Sequence, residues 1–556
     1  MPKASKPAGA PVPTWDTSLQ LLSFLATTVS VISFLFYYKS GDFFLYGDAI
    51  AHINIARRVF DSKTPGLLQL GTVWLPLPHL LMIPFLVSER MWQQGVGGSI
   101  SSMGAYVLAV LGIFRLTRAA LSRSTEPDNT AQVSAWTAAL IFAANPNLIY
   151  MQTTAMGETI YLAFFVWSVV YFVDHVGGDI KALTKCGLCL AGACLTRYDG
   201  WLLAAAMAAT VVIQSFLTRS ESKAVPRRNI IKFVLIAAAA PSLWLVYNGI
   251  VYRNPLEFAN GPYSAKAIER RTQSDGNPGH PGSGNLIVAG MYFLKSAQDN
   301  VAVNPWLQRA WILILMSAIV AGFASRRKDR TPEAARDPKW HPLLFLLIPL
   351  LFYALSVAYG GVPIFVPTWW PFSHYNVRYG LQLLPAFAVA LAVMVCVAIR
   401  SESWPRYLRL TCAIVPFVLV VISYGSIWRA SPVCLREAQL NMHTRMQLEL
   451  ELVRWLAKLP PDATLLVYVG DHVGALERAG VPLSQTINEG NHRVWKQPTD
   501  PEGLWERALA NPKQYADFVL AFEGDPVWQA VHNLHLPEIV ELHVSGQARA
   551  VFYRAR

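Results

Sequence analysis

Long apolar stretches recur along the first three quarters of this chain, and they constrain its fold more than any other feature. A helix needs about 20 apolar residues to cross the roughly 30 Å hydrocarbon core of a bilayer. About eleven segments approach that length, namely residues 18–38, 98–114, 131–150, 158–175, 185–197, 200–218, 230–252, 306–324, 342–360, 379–399 and 409–428. The sequence therefore predicts a polytopic α-helical membrane protein.

The composition agrees with a membrane protein and argues against an ordinary soluble one. Hydrophobic residues make up 53% of the chain and charged residues only 15%, whereas soluble proteins carry about 25% charged residues. The formal net charge of +12 could indicate a nucleic-acid partner. Whether it does depends on where the basic residues lie.

The basic residues lie in alternate loops, and this pattern sets the predicted orientation. Cytoplasmic loops of membrane proteins are enriched in Lys and Arg. If residues 1–17 form a cytoplasmic tail and the Pro-rich segment 74–87 does not cross, every basic cluster falls on the cytoplasmic side, around residues 115–123, 181–185, 219–228, 326–330 and 400–409. We therefore expect segment 74–87 to be a re-entrant or interfacial helix on the outer side, and nucleic acid is rejected as a partner.

The same topology divides the chain into domains. Residues 18–428 are predicted to form the transmembrane domain, with outer loops at 39–97, 253–305 and 361–378. Residues 429–556 are predicted to form a soluble extracytoplasmic α/β domain. Its expected elements are a helix and four strands, at residues 436–458, 464–469, 517–522, 539–544 and 548–553.

The loop after the first span carries a candidate catalytic pair. Asp48 and His52 are four residues apart, so on a helix they would share one face. A carboxylate at this position could serve as a general base in a groove that is reachable from the lipid. In the alternative interpretation, Asp48 only stabilises a helix N-terminus and His52 is a hydrogen-bonded interfacial histidine.

Three further candidates lie at the outer ends of predicted spans. Glu158 begins a span, where an acid is either functional or a residue that stabilises the helix start. Arg197 and Asp199 lie in a short turn between two spans. They either contribute to a site or simply pair with each other.

Cations on the outer face are candidate ligands for a phosphate, because arginine binds phosphate through paired hydrogen bonds. Arg378 and Tyr379 open a long apolar span, and the 253–305 loop supplies Tyr263, Lys266, Arg270 and Arg271. Each cation could instead extend toward lipid headgroups.

Two of these segments resemble a known family. Asp48 just past the first span is followed by Gly-Thr-Val-Trp-Leu-Pro-Leu-Pro-His-Leu-Leu at residues 71–81, and Asn-Val-Arg-Tyr at 376–379 is followed by Pro385. Together with the order of spans, loops and C-terminal domain, they resemble the GT-C superfamily of integral-membrane glycosyltransferases. The similarity is greatest to the protein O-mannosyltransferase and aminoarabinose-transferase type.

The resemblance implies an inverting transferase that takes a sugar from a polyprenyl-phosphate donor and passes it to a protein, lipid or glycan acceptor. It implies that Asp48 is the base and that Arg378 stabilises the departing phosphate. Beyond the resemblance, we expect Arg270 or Arg271 to assist Arg378 and Glu158 to be a second catalytic residue. The commoner Asp-Glu pair is absent, because residue 49 is Ala. A divalent metal ion bound by Asp48, His52 and Glu158 therefore stays open as a hypothesis.

A membrane transporter, or a glycan- or lipid-binding membrane protein without transferase activity, is the alternative. A transporter would show internal repeats and charges near mid-span, whereas the ionisable residues here cluster at loop boundaries. The final residues contain no endoplasmic-reticulum retention signal. This favours location of the protein in a bacterial inner membrane, where it would contact membrane lipids and have a periplasmic active site.

Overall fold

The structure is a computed structural model that describes residues 16–122, 128–217, 226–274, 276, 278–328, 341–401, 404–470, 472–492 and 502–556. The N-terminal tail up to residue 15 lies outside this range. So do four of the basic residues that set the predicted orientation, Arg123, Arg219, Lys223 and Arg330.

Helices formed by the apolar stretches dominate the chain as far as Ala430. In order they are α1 Thr17–Ser40, α2 Gly47–Arg58, α3 Leu77–Leu86, α4 Glu89–Gln93, α5 Val96–Leu121, α6 Asn129–Ala143, α7 Pro146–Met151, α8 Glu158–Val176, α9 Ile180–Cys194, α10 Asp199–Leu217, α11 Arg227–Val251, α12 Glu257–Asn260, α13 Ala265–Ser274, α14 Leu286–Asp299, α15 Pro305–Lys328, α16 Ile348–Tyr359, α17 Leu384–Arg400 and α18 Arg406–Ala430. Short 3₁₀ helices precede α16 and α17, at His341–Leu347 and Val377–Leu383.

Eight helical segments among the described residues are long and apolar enough to cross a membrane. They are Thr17–Ser40, Val96–Leu121, Glu158–Val176, Asp199–Leu217, Arg227–Val251, His341–Tyr359, Val377–Arg400 and Arg406–Leu456. The predicted class, a polytopic helical membrane protein with a C-terminal α/β domain, is confirmed. The number of long spans is smaller than the eleven expected.

The other three predicted spans coincide with helices whose apolar parts are shorter. α6 and α9 contain 15 residues each, and the apolar part of α15 is Pro305–Ala321. Fifteen helical residues extend only about 22 Å. The apolar run at 131–150 looked longer because it joins α6 to α7, although Asn145 caps a new helix that begins at Pro146.

The spans differ in how deeply they lie within the bundle. In α8, 72% of the apolar window is buried, and in Val377–Arg400 the value is 78%, whereas in α1 it is only 17%. α1 therefore leaves most of its apolar surface for lipid, while the segments that begin with Glu158 and Val377 run through the centre of the bundle.

The C-terminal region forms a five-stranded mixed sheet flanked by helices. Its helices are α19 Val433–Leu456, α20 Val473–Ala479, α21 Leu504–Ala510, α22 Pro512–Tyr515 and α23 Pro526–Val531, and its strands are β1 Leu465–Val467, β2 Thr486–Ile487, β3 Phe518–Phe522, β4 Glu538–Leu542 and β5 Ala550–Arg554. The strand order is β2-β1-β3-β5-β4. β2, β1 and β3 are parallel, and β5 pairs antiparallel with β3 and β4.

Buried polar contacts join this region to the loop after α1. The side-chain amide of Asn54 in α2 donates to Glu477 Oε2 in α20 at 2.6 Å. The backbone N–H of Ser484 donates to Asp61 Oδ1 at 2.9 Å. α2, which carries Asp48, is therefore held from the side of the C-terminal region as well as by the helical bundle.

Candidate active site

Arg378 lies at the centre of a group of three carboxylates, two of which are buried. Its Nη2 is 2.6 Å from Asp48 Oδ2, and its Nε is 3.2 Å from Glu158 Oε1. Its Nη1 is 2.5 Å from Glu437 Oε1, and the other oxygen of Glu437 accepts the backbone N–H of Val377 at 2.7 Å. Because each guanidinium nitrogen faces a carboxylate, the plane of the group is fixed.

A second arginine extends the group through shared partners. Arg197 Nη1 lies 3.1 Å from Glu158 Oε1, the same oxygen that faces Arg378. Arg197 Nε lies 3.6 Å from Asp199 Oδ2, and its Nη2 donates to the hydroxyl of Tyr353 at 2.8 Å. That hydroxyl donates to Asp199 Oδ2 at 3.2 Å, so the pair is cross-linked.

The ring of Tyr379 contacts both guanidinium groups. Its centroid is 4.8 Å from Cζ of Arg197 and 5.1 Å from Cζ of Arg378, distances at which cation–π attraction operates. The ring also stacks on Tyr353, with centroids 5.1 Å apart. Sequence-predicted candidates from separate segments are thus brought to one place.

We call Asp48, Glu158, Arg197, Asp199, Arg378 and Glu437 the Arg378 cluster. It contains four carboxylates and two guanidinium groups, a formal charge of −2 if all are ionised. The Asp48 side chain is 41% exposed, whereas those of Glu158, Asp199 and Glu437 are at most 1% exposed. Asp48 is therefore the carboxylate of the cluster that a substrate can reach.

Local sequence explains how the acids reach this point. Asp48 lies in the first turn of α2, and Glu158 and Asp199 are the first residues of α8 and α10. Acids in a first turn are stabilised by the helix dipole. The helix-start interpretation and membership of the cluster therefore hold together for these three residues.

Arg378 is placed by the 3₁₀ helix Val377–Leu383, which packs directly against α14. A Cβ at Gly380 would lie 2.4 Å from the backbone nitrogen of Ala297, so only glycine permits this approach. The preceding Asn376 has φ of 56°, a left-handed conformation that asparagine tolerates. This turn directs the Arg378 side chain toward the carboxylates of the cluster.

His52 lies beside the cluster and pairs with a second histidine. Its Nδ1 is 2.8 Å from Nε2 of His79, and its ring centroid is 4.8 Å from that of Trp74. Burial lowers the pKa of His52 to about 4, although Asp48 and Glu158 act in the opposite direction. Burial also lowers the pKa of His79 well below its ordinary value. Both imidazoles are therefore neutral at pH 7, and one donates to the other.

The predicted loop cations lie apart from this cluster. Helix α13 carries Lys266, Arg270 and Arg271, and all three side chains are exposed. Tyr263, just before this helix, is 53% exposed. Arg271 donates to the carbonyl of Pro262 in its own loop at 2.9 Å. In the structure described here, none of these four side chains forms an ion pair with the cluster.

The hypothetical metal site of Asp48, His52 and Glu158 is not formed in the described part of the chain. No three His, Cys, Asp or Glu side chains there are grouped as ligands for a metal ion. Asp48 and Glu158 instead face two nitrogens of Arg378, and His52 pairs with His79. The guanidinium takes the place that a cation between the two carboxylates would take.

Sequence reasoning missed Glu437 and Tyr353. Glu437 lies in α19 among the buried residues Cys434, Ala438 and Met442. An acid on the apolar face of an amphipathic helix was the available signal, because burial of a charge requires a partner. Tyr353 lies inside an apolar span and gave no comparable signal.

The fold is shared with known structures, although no protein-family model and no curated protein sequence matches the chain. A crystal structure of ArnT from Cupriavidus metallidurans bound to undecaprenyl phosphate is similar with a TM-score of 0.52 and 13% identity, covering 98% of this chain and 99% of that one. The apo form of the same protein gives 0.54 and 13%, covering 97% and 99%. Along nearly its whole length, this chain therefore has the fold of ArnT, as its resemblance to the GT-C superfamily predicted.

Proposed function

We propose that this protein is a glycosyltransferase that moves a sugar from a polyprenyl-phosphate donor to an acceptor hydroxyl. The observation that carries the proposal is the Arg378 cluster, in which the accessible Asp48 is held by Arg378 at 2.6 Å. The fold adds support, since one ArnT crystal structure is bound to undecaprenyl phosphate.

Asp48 is the proposed general base. Its carboxylate accepts the proton of the acceptor hydroxyl while that oxygen attacks the anomeric carbon of the donor sugar. The bond from the anomeric carbon to the phosphate oxygen breaks, and polyprenyl phosphate leaves with the electron pair. Attack on the face opposite the leaving group inverts the anomeric configuration.

Arg378 is proposed first of all to position Asp48. Its Nη1 and Nη2 each carry a second N–H beyond the one that faces a carboxylate. Those remaining N–H groups are what Arg378 can offer to a departing phosphate. The predicted contact between Arg378 and phosphate is thus retained as a secondary role.

Glu158 is proposed to orient the donor sugar. Its Oε1 faces Arg197 and Arg378, while its buried Oε2 has no hydrogen-bond partner among the described residues. A buried carboxylate oxygen without a donor is unfavourable. A hydroxyl group of a bound sugar would supply the missing hydrogen bond.

An apolar groove offers a place for the polyprenyl tail. It has a volume of about 410 Å³, lies between α14 and α16 and is lined by residues that include Leu286, Met291, Leu294, Leu351 and Ala354. Ala354 directly follows Tyr353, whose hydroxyl belongs to the hydrogen-bond network of Arg197. The groove therefore shares α16 with a residue of that network.

The loop cations remain proposed contacts for the donor. Helix α13 packs against the loop that leads to Arg378. Gly361 lies in that loop, and a Cβ at this position would lie 2.7 Å from Cα of Lys266. Lys266, on the same segment as Tyr263, Arg270 and Arg271, thus lies beside the start of the loop that ends at Arg378.

The finer proposals concern location and specificity. We place the reaction on the periplasmic face of a bacterial inner membrane, with residues 429–556 on that side, where they help to recognise a protein, lipid or glycan acceptor. A mannose-like sugar is one candidate donor group, and aminoarabinose is another.

The test is transfer of radiolabelled sugar from undecaprenyl-phosphate donors by purified protein in proteoliposomes. Asp48→Asn should lower turnover by about 10²–10⁴-fold, the usual contribution of a general base. Asp42→Asn, in the same loop but outside the cluster, is the matched control and should keep wild-type turnover. Wild-type-like transfer by Asp48→Asn would remove the assigned base. Donor binding or transport without any chemical change in the donor would favour the alternative of a binding protein or transporter.

A further inference from the structure

A second buried ion-pair group lies on the C-terminal side of the Arg378 cluster. Arg445 Nε is 2.9 Å from Glu449 Oε1, and Arg478 Nε is 3.5 Å from Glu449 Oε2. We call these three residues the Arg445 cluster. The Glu449 side chain is fully buried, and two guanidinium groups share its single charge, so the formal charge is +1.

A neighbouring acid is hydrogen-bonded to Asn54 and forms no ion pair with either arginine among the described residues. Glu477 is buried in α20, and burial raises its pKa well above the ordinary value for a glutamic acid. Its Oε2 accepts a hydrogen bond from the Asn54 amide at 2.6 Å. Among the described residues, Glu449 is the carboxylate that forms ion pairs with both Arg445 and Arg478.

Arg445 reaches from α19 to the residue that precedes the proposed base. A Cβ at Gly47 would lie 2.6 Å from Arg445 Nη1, so the guanidinium occupies the space that a side chain at position 47 would need. The Arg445 side chain is 15% exposed. Among the described residues, its hydrogen bonding is confined to Nε, and Nη1 and Nη2 stay available to a ligand.

Gly47 and Asp48 therefore lie between two guanidinium groups, that of Arg378 at the Asp48 carboxylate and that of Arg445 beside Gly47. Each guanidinium nitrogen of Arg378 already faces a carboxylate, which limits what it can offer to a phosphate. The Arg445 cluster carries +1 and presents two guanidinium nitrogens, the geometry with which arginine binds phosphate bidentately.

We propose that Arg445 binds the phosphate of the lipid-linked donor and directs the anomeric carbon toward Asp48. This inference rests on the proposed transferase function and names a residue in the C-terminal region as part of its donor site. Neither the spacing of motifs nor the loop cations pointed to Arg445.

The chemistry gives such a cation a role beyond ground-state binding. The donor is a phosphodiester with one negative charge, and the released polyprenyl phosphate is a monoester that gains a second charge as the glycosidic bond breaks. The proton lost by the acceptor goes to Asp48. A guanidinium at the phosphate interacts more strongly with the developing dianion than with the diester, and so lowers the barrier to departure.

The test measures binding of undecaprenyl phosphate to the full-length protein in detergent. Quenching of tryptophan fluorescence reports the binding. Arg445→Gln should weaken binding by about tenfold or more, as loss of a charge-assisted contact to phosphate does. Binding of undecaprenol, which lacks the phosphate, should be unchanged. Arg454→Gln is the matched control on α19, because the Arg454 side chain is 71% exposed and, among the described residues, forms its ion pair with Glu451. It should bind like the wild type.

A second variant guards against simple misfolding. Gly47→Ala leaves Arg445 in the chain but forces its guanidinium to move, and it should weaken undecaprenyl phosphate binding in the same direction. Thermal unfolding of both variants shows whether they are folded.

Three results would overturn the proposal. In the first, folded Arg445→Gln binds undecaprenyl phosphate within about twofold of the wild type. In the second, Arg445→Gln loses equal affinity for phosphatidylglycerol vesicles, which would make Arg445 a general contact to anionic headgroups. In the third, the wild type itself fails to bind undecaprenyl phosphate, which would remove the transferase proposal together with this one.

Discussion

Two sets of cations that the sequence predicts on one membrane face have very different surroundings in the structure. Arg378 is 6% exposed and has a carboxylate at each of its three nitrogens. Lys266, Arg270 and Arg271 are exposed on α13. Asp48 and Arg378 are 330 positions apart in the chain, yet they meet. The difference teaches that residue type and predicted side do not identify a site, whereas convergence of distant elements in a buried place does.

The largest expected effect comes from removing the centre of the buried set. Arg378→Gln leaves Asp48, Glu158 and Glu437 close together without their shared counter-charge. Breaking a buried ion pair by removal of one partner typically destabilises a protein by about 3–5 kcal/mol. Thermal unfolding in detergent should show a large decrease in Tm. An unchanged Tm would mean that burial does not distinguish Arg378 from the cations on α13.

A smaller effect is expected at Glu437, which sequence reasoning missed. Glu437→Gln keeps the size of the side chain but removes the charge that faces Arg378 Nη1 at 2.5 Å. Loss of a charged hydrogen-bond partner is worth about 1.5–3 kcal/mol. Because Glu437 acts through Arg378, kcat should fall about tenfold or more while the KM for the donor changes little. A change confined to KM would assign Glu437 to substrate binding instead.

The pH dependence of stability offers a third comparison. The pKa of His52 is lowered to about 4 in the folded protein from an ordinary value of 6.5. Between these values the unfolded state binds more protons than the folded state, so stability rises with pH and is lost as pH falls from about 6.5 toward 4.

His52→Asn should therefore flatten this loss by about 1–3 kcal/mol, while keeping a side-chain nitrogen near His79. The measurement is Tm between pH 4.5 and pH 7.5 for the variant and the wild type. Equal slopes for the two proteins would show that His52 is not buried as a neutral imidazole.

The smallest effect is expected at the exposed cations. Arg270→Gln and Lys266→Gln should change the free energy of unfolding by no more than about 0.5 kcal/mol, as surface substitutions usually do. If these residues contact the donor phosphate, the KM for the donor should rise while Tm stays the same. A large loss of Tm would instead mean that α13 is part of the structural core.

The elements of the fold were accessible from the sequence because they follow local patterns. Hydropathy located the spans, and short runs of strand-forming residues located β1, β3, β4 and β5. The two-residue strand β2 was too short to show alternation. The span count was too high where a capped break, such as the one at Asn145, lies inside a continuous apolar run.

The site was only partly accessible, because its composition depends on long-range packing. Each of Asp48, Glu158 and Arg378 could be singled out as a charged residue at the end of a span. The guanidinium that Asp48 and Glu158 share, however, comes from a distant part of the chain. The approach of Glu437 and Arg445 from α19 depends on how the C-terminal region packs onto α2. No local pattern encodes such distances.

The late position of Glu437 in the chain has a consequence for biosynthesis. A ribosome makes Asp48, Glu158 and Arg378 well before it reaches α19, so a nascent chain that stops before Val433 has an arginine with one partner too few. The proposed enzyme can acquire its finished catalytic geometry only after α19 has been made. Sugar transfer by a chain that ends before α19 should therefore be slower than transfer by the finished protein.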